Sequence, residues 1–247
     1  SRPPVERRLA TLGLAALAAA IWLPPASAGT FTISPLRVDL SQATPAAALT
    51  VRNEENVEVV IQVETLQWSQ ADGQDVLEPT RDLVGSPLVF TLPPNGTQLV
   101  RVALRRTPDE RRELSYRMVV QEVPPPPSPD FTGLQVALRM SLPVFVAAIT
   151  PSAPELQWSV TRDADGALIV TANNAGGSHA RVLGFSVAPV AATTPALEQP
   201  VAAYVLPGTA RHWRFDADGA APAAAALYRL HGRTDAGEFT MELPLGQ

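Results

Sequence analysis

Three histidines, His179, His212 and His231, are the first residues to test for metal or acid–base chemistry. Their spacing supports neither. A zinc site draws on His or Cys ligands placed close together in sequence, in patterns such as HxH or HExxH, and none is present. Ser178 and His179 look like a nucleophile beside its base, but neighbours on a strand point to opposite faces. No serine sits in a GxSxG elbow either, so this pair reads as a polar turn after Gly176-Gly177. The carboxylate pairs Asp163 with Asp165 and Asp216 with Asp218 lie beside glycines, where turn chemistry accounts for them.

Whole classes of reaction are removed by composition. All 19 basic residues are Arg, which excludes a Schiff-base or P-loop lysine, and the absence of Cys excludes thiol catalysis and disulfides. No cofactor and no metal are implied, and the chain reads as a protein that is not an enzyme.

Arg2, Arg7 and Arg8 precede an apolar run over residues 9–23, and Ala26-Ser27-Ala28 follows it with small residues. That is the pattern of a secretory signal peptide over residues 1–28. Its apolar stretch falls short of the roughly 20 residues that span a bilayer, so export without membrane insertion is expected. Cleavage would remove three Arg and one Glu from 19 basic and 24 acidic residues, leaving a net charge of −7. Such a balance argues against nucleic acid or anionic lipid as a partner.

The elements that remain are β-strands. Short alternating runs at 31–40, 48–53, 58–68, 83–90, 98–105, 114–123 and 134–146 are broken by turn signals such as Asn53-Glu54-Glu55-Asn56, Asp72-Gly73 and Pro93-Pro94-Asn95-Gly96. Seven such strands predict an immunoglobulin-like sandwich over residues 29–149. The proline run 124–127 is a stiff loop inside it, because a boundary there would strip off the last strand. A linker at 150–154 leads to a second series, 156–161, 168–172, 181–189, 201–206, 210–215, 227–231 and 238–243. These predict a second sandwich over residues 155–247. Trp68, Trp158 and Trp213 are expected in the sandwich cores.

One strand has more apolar surface than its own domain explains. In 134–146, Leu134, Val136, Leu138, Met140 and Leu142 alternate with Gln135, Ala137, Arg139 and Ser141, giving one large apolar face. As the last strand of its sandwich it belongs at or near an edge, where such a stripe invites aggregation unless a partner pairs with it.

In order, the chain carries Ile33-Ser34-Pro35-Leu36-Arg37-Val38, Leu49-Thr50-Val51-Arg52-Asn53, Ser86-Pro87-Leu88-Val89-Phe90-Thr91-Leu92-Pro93-Pro94, Gln98-Leu99-Val100-Arg101, Tyr116-Arg117 and Glu122-Val123-Pro124. The 134–146 strand and Leu206-Pro207-Gly208 complete the series. This order resembles the PapD-like periplasmic chaperones of pilus and fimbrial assembly, over nearly all of the chain after the signal.

The resemblance implies two immunoglobulin-like sandwiches in a boomerang with a cleft between them. It implies a periplasmic location, pilus subunits as partners held by donor-strand complementation, and delivery to an outer-membrane usher. The free protein could hide its strand by self-association. Carried over by residue, Leu134, Val136, Leu138 and Met140 would donate to the subunit, and Arg37 would grip its C-terminal carboxylate. The family's second cation, a lysine on the last strand, has no counterpart, since the aligned stretch reads Met140-Ser141-Leu142-Pro143. Arg139 is the candidate replacement, and the chain resembles a divergent branch whose last strand ends in a Leu-Pro-Val-Phe-Val-like run. The alternative is a secreted two-sandwich structural or adhesive protein whose apolar strand is simply core.

Overall fold

The computed structural model describes residues 31–126, 136–191, 197–216 and 225–246. The expected signal segment, residues 127–129 of the proline-rich loop, and Leu134 lie outside the described residues. Among the described residues every regular element is a β-strand.

The first sandwich holds β1 (Phe31–Ser34), β2 (Val38–Leu40), β3 (Ala46–Asn53), β4 (Val59–Ala71), β5 (Gln74–Pro79), β6 (Leu83–Ser86), β7 (Val89–Leu92), β8 (Thr97–Leu104), β9 (Leu114–Glu122) and β10 (Arg139–Val146). One layer is ordered β1-β3-β8-β6, the other β2-β10-β9-β4-β5 with β7 also on β4. Two runs that look continuous in sequence are each two strands in different layers. The 31–40 run breaks at Pro35 and the 83–90 run at Pro87, both after a cis peptide bond. Proline cannot donate to a ladder, so the chain crosses between layers there and both halves still alternate buried and exposed.

Asp72 and Gly73 form a two-residue hairpin between β4 and β5, both with positive φ (50° and 73°). This is the conformation that Asp-Gly favours in a primed turn. It creates β5, a strand not expected from Gln74-Asp75-Val76-Leu77-Glu78-Pro79, whose mostly polar sequence reads as loop.

The second sandwich holds β11 (Leu156–Arg162), β12 (Leu168–Asn174), β13 (Ala180–Pro189), β14 (Leu197–Val205), β15 (Ala210–Phe215), β16 (Leu227–Thr234) and β17 (Gly237–Gly246). Their order is β14-β13-β16-β17-β11-β12-β15, folded into two layers where β17 meets β11 through a short parallel pairing. Its core includes Trp158, Val170, Phe185, Tyr228 and Leu230, with Trp213 packed at the margin.

Each sandwich buries one asparagine completely. The Asn53 amide donates to the carbonyls of Val57 (2.7 Å) and Pro93 (3.1 Å) and accepts from the Glu55 N–H (2.9 Å). Asn174 donates to the carbonyls of Ser178 (2.8 Å) and Val205 (3.0 Å) and accepts from the Glu155 and Gly176 N–H groups (both 3.0 Å). Both side chains stand in for backbone where a strand ends in a tight loop. Asn53→Ala or Asn174→Ala should therefore leave buried carbonyls unpaired and cost about 2–3 kcal/mol. In urea melts the midpoint of the affected transition should fall with its slope unchanged.

Candidate functional site

β10 lies between β2 and β9, but its two sides are unequally covered. The whole strand pairs antiparallel with β9, from Arg139 opposite Gln121 to Val146 opposite Leu114. β2 pairs only with Val144, Phe145 and Val146. Among the described residues Arg139 to Pro143 therefore present an open edge, with main-chain groups available to another strand.

β10 begins only at Arg139, inside the expected run 134–146, and the apolar stripe emerges from the core by steps across its start. Leu142 is buried, Met140 and Leu138 are half-buried against the first core, and Val136 is 58% exposed. The stripe is thus partly used by its own sandwich at Met140 and Leu138 and open at Val136.

The opposite face of β10 meets the second sandwich. Phe145 packs with Trp68 (ring centres 5.9 Å apart) and Tyr204 (5.5 Å), and Leu206 closes the cluster. Trp68 is thus buried as expected, but between the sandwiches instead of inside one. His179 is not a turn residue exposed to solvent. It is 7% exposed, stacks on Phe145 at 3.6 Å, and shares a 2.7 Å hydrogen bond between Nδ1 and Glu113 Oε1. His212 and His231 lie elsewhere, hydrogen-bonded to Thr171 and Thr240.

Two further side chains brace the junction. Gln70 donates to the Tyr204 carbonyl (2.9 Å) and accepts from the Leu206 N–H (3.0 Å) and the Thr209 hydroxyl (2.7 Å). Asp75 Oδ1 accepts from Trp68 Nε1 (2.9 Å), Gln70 Nε2 (2.9 Å) and Arg211 Nη2 (2.5 Å). Burial pushes the Asp75 carboxyl up, but the donors Gln70 and Trp68 and the charge of Arg211 outweigh it and hold it below the usual carboxylate range. A carboxylate depressed on folding stabilises above its ordinary value of 3.8 and loses that contribution as the pH falls further. Acid titration followed by Trp fluorescence should show the junction loosening below about pH 4, and Asp75→Asn should remove that step.

Arginines surround this aromatic floor. Arg37, one residue before β2, places its guanidinium carbon 5.1 Å from the Phe145 ring centre. Its Nε and Nη2 bind Asp39 at 2.8 and 2.7 Å. Burial pulls the Arg37 pKa down, yet the Asp39 hydrogen bond and charge, with Tyr204 and Glu113, raise it overall. The pair is half-exposed, and surface ion pairs are worth about 0–1 kcal/mol, so Asp39 is a weak competitor for this fork.

Arg117 enters the sequence series only within Tyr116-Arg117, with no role attached to it. It stands on β9 between Leu66 and Pro143, with its guanidinium carbon 3.7 Å from the Trp68 ring centre. Its Nη1 approaches the Ser141 carbonyl at 3.5 Å, within the stretch Met140-Ser141-Leu142-Pro143 that carries no lysine. Burial lowers its pKa more than Asp75 and Tyr204 raise it. Arginine stays protonated regardless, so Arg117 is a partly desolvated cation without a carboxylate partner among the described residues. β2 and β9 are two sheet spacings apart, roughly 10 Å, within joint reach of one guest carboxylate for two long side chains.

Arg139 sits elsewhere. It is exposed on the same face, opposite Gln121, four residues from Pro143 and so roughly 13 Å along the strand. Arg37 and Arg117 are brought together; Arg139 is not.

The class is thus a protein of two immunoglobulin-like sandwiches with an open, apolar edge strand beside a basic junction. Residues 30–151, which hold the first sandwich, match the family of pili and flagellar-assembly chaperones, PapD N-terminal domain. Among solved structures it is similar to the CsuC–CsuE chaperone–tip adhesion subunit pre-assembly complex of archaic chaperone-usher Csu pili from Acinetobacter baumannii. There the identity is 20% over 88% of this chain and 100% of that one, with TM-score 0.66. The CupB2 chaperone of Pseudomonas aeruginosa gives 20%, 87%, 100% and 0.55, and the Salmonella enterica SafA pilin–SafB chaperone complex gives 17%, 88%, 97% and 0.60. No curated protein matches the chain.

Proposed function

We propose that this protein is a periplasmic chaperone that holds pilus subunits through the open edge of β10 and passes them to an outer-membrane usher. The supporting observation is that edge itself, paired on one side only from Arg139 to Pro143 and bordered by the stripe Val136, Leu138 and Met140. A strand added beside β10 shares both its faces, so the apolar side of a guest strand would lie against this stripe and extend the first core. Main-chain hydrogen bonds would supply affinity and the alternate side chains would supply register, as in strand addition by pilus chaperones generally. Each large side chain fully buried in the complex would contribute about 1.5–3 kcal/mol.

In this reading Leu134 is a further anchor, and Arg37 and Arg117 hold the guest's C-terminal carboxylate beside the strand. Residues 1–28 direct export, and 150–154 divide the subunit-binding sandwich from the second one. The structural or adhesive alternative leaves the one-sided pairing of β10 without a role. The direct test is co-expression with a pilus subunit encoded beside the chain. A stable one-to-one complex supports the reading; a subunit recovered equally well without the chain contradicts it.

A further inference from the structure

The second sandwich also directs an arginine at the junction. Arg181 on β13 is exposed and pairs across the ladder with Tyr204 on β14. Its main-chain N–H is held by Asp235 Oδ1 at 3.0 Å, while its guanidinium carbon lies 5.5 Å from the Tyr204 ring centre. The guanidinium carbon of Arg117, from the first sandwich, lies 5.8 Å from the same ring centre.

Two guanidinium groups of this floor lack an ion pair among the described residues. Arg37 is paired with Asp39 and Arg211 with Asp75, while the Glu113 carboxylate accepts from the His179 main-chain N–H. Arg117 and Arg181 have no carboxylate partner among the described residues. A guest's terminal carboxylate neutralises one of these two cations and leaves the other, on the far sandwich, facing the same ring.

We infer that the junction selects guest chains ending in two negative charges, the α-carboxylate and an acidic side chain beside it, with Arg181 reading the second. This rests on the proposed carboxylate grip of Arg37 and Arg117. Both sandwiches then hold one terminus, which ties recognition of the guest's end to the relative placement of the two domains. Arg181 is exposed, so its share should be modest and weakened by salt.

The probes are N-acetylglutamate, with both charges, N-acetylglutamine, with the α-carboxylate alone, and N-acetylglutamine amide, with neither. They are titrated at fixed ionic strength against the full chain, read by the fluorescence of Trp68 under Arg117. The wild type should bind N-acetylglutamate about three- to tenfold more tightly than N-acetylglutamine. Arg181→Gln should remove that preference and keep the N-acetylglutamine response. A preference that survives Arg181→Gln, or is missing from the wild type, overturns the assignment of Arg181. Equal responses to N-acetylglutamine and its amide would instead overturn the underlying carboxylate grip, and this inference with it.

Discussion

Placing Asp at both Val136 and Leu138 should cut the recovery of a co-expressed subunit about tenfold or more while the chain itself stays folded. Two apolar anchors would be lost and two charges would be driven into the guest's core, together exceeding the 1.4 kcal/mol that a tenfold change represents. The free chain tolerates these changes unequally. Val136 is 58% exposed, so Val136→Asp should shift its stability by no more than about 0.5 kcal/mol. Leu138 touches the first core, and Leu138→Asp should lower the thermal midpoint by a few degrees without unfolding the protein. Circular dichroism of each variant separates the two effects. Normal subunit recovery with both changes in place would remove this segment from binding.

The second large effect concerns the two cations. Arg117→Ala should weaken subunit capture by about thirtyfold or more, since truncating one partner of a desolvated charge pair costs about 2–5 kcal/mol. Arg37→Ala should act through a different route as well, because it exposes Asp39 as an unpaired negative charge close to the incoming carboxylate. Asp39→Ala should therefore tighten capture in the otherwise unchanged chain, and it should recover part of the loss in the Arg37→Ala background. Surface plasmon resonance with a purified subunit measures all four. Full affinity in Arg117→Ala would exclude it from the site, and weaker capture in Asp39→Ala would mean that Asp39 positions Arg37 instead of competing for it.

The β architecture was legible because most strands alternate strictly, and all seven strands of the second sandwich follow from their runs and turns. The misread stretches share a physical cause. Residues 31–40 and 83–90 each hold an apolar pattern that continues through a proline, so a change of layer leaves no trace in periodicity. β5 is polar on both faces, and only its Asp-Gly turn announces it.

Half of the candidate site was legible for a similar reason. The alternation from Val136 to Leu142 is local, so the sequence shows it, although the strand itself begins only at Arg139. The junction is assembled from Trp68, Arg117, Phe145, His179 and Tyr204, which lie on five separate segments. Arg117 alternates with the buried Tyr116 and Met118 as a solvent-facing residue does, and nothing local distinguishes it. The missing family lysine pointed along the last strand to Arg139, and only the fold sets Arg117 of the neighbouring strand against Trp68.

Amide hydrogen exchange across Val136 to Leu142, in the free chain and in its complex with a subunit, tests strand donation most directly. The outward-facing amides of this stretch should exchange rapidly in the free chain and become protected by at least about a hundredfold when the subunit binds. Unchanged exchange there in a complex that has demonstrably formed would contradict it.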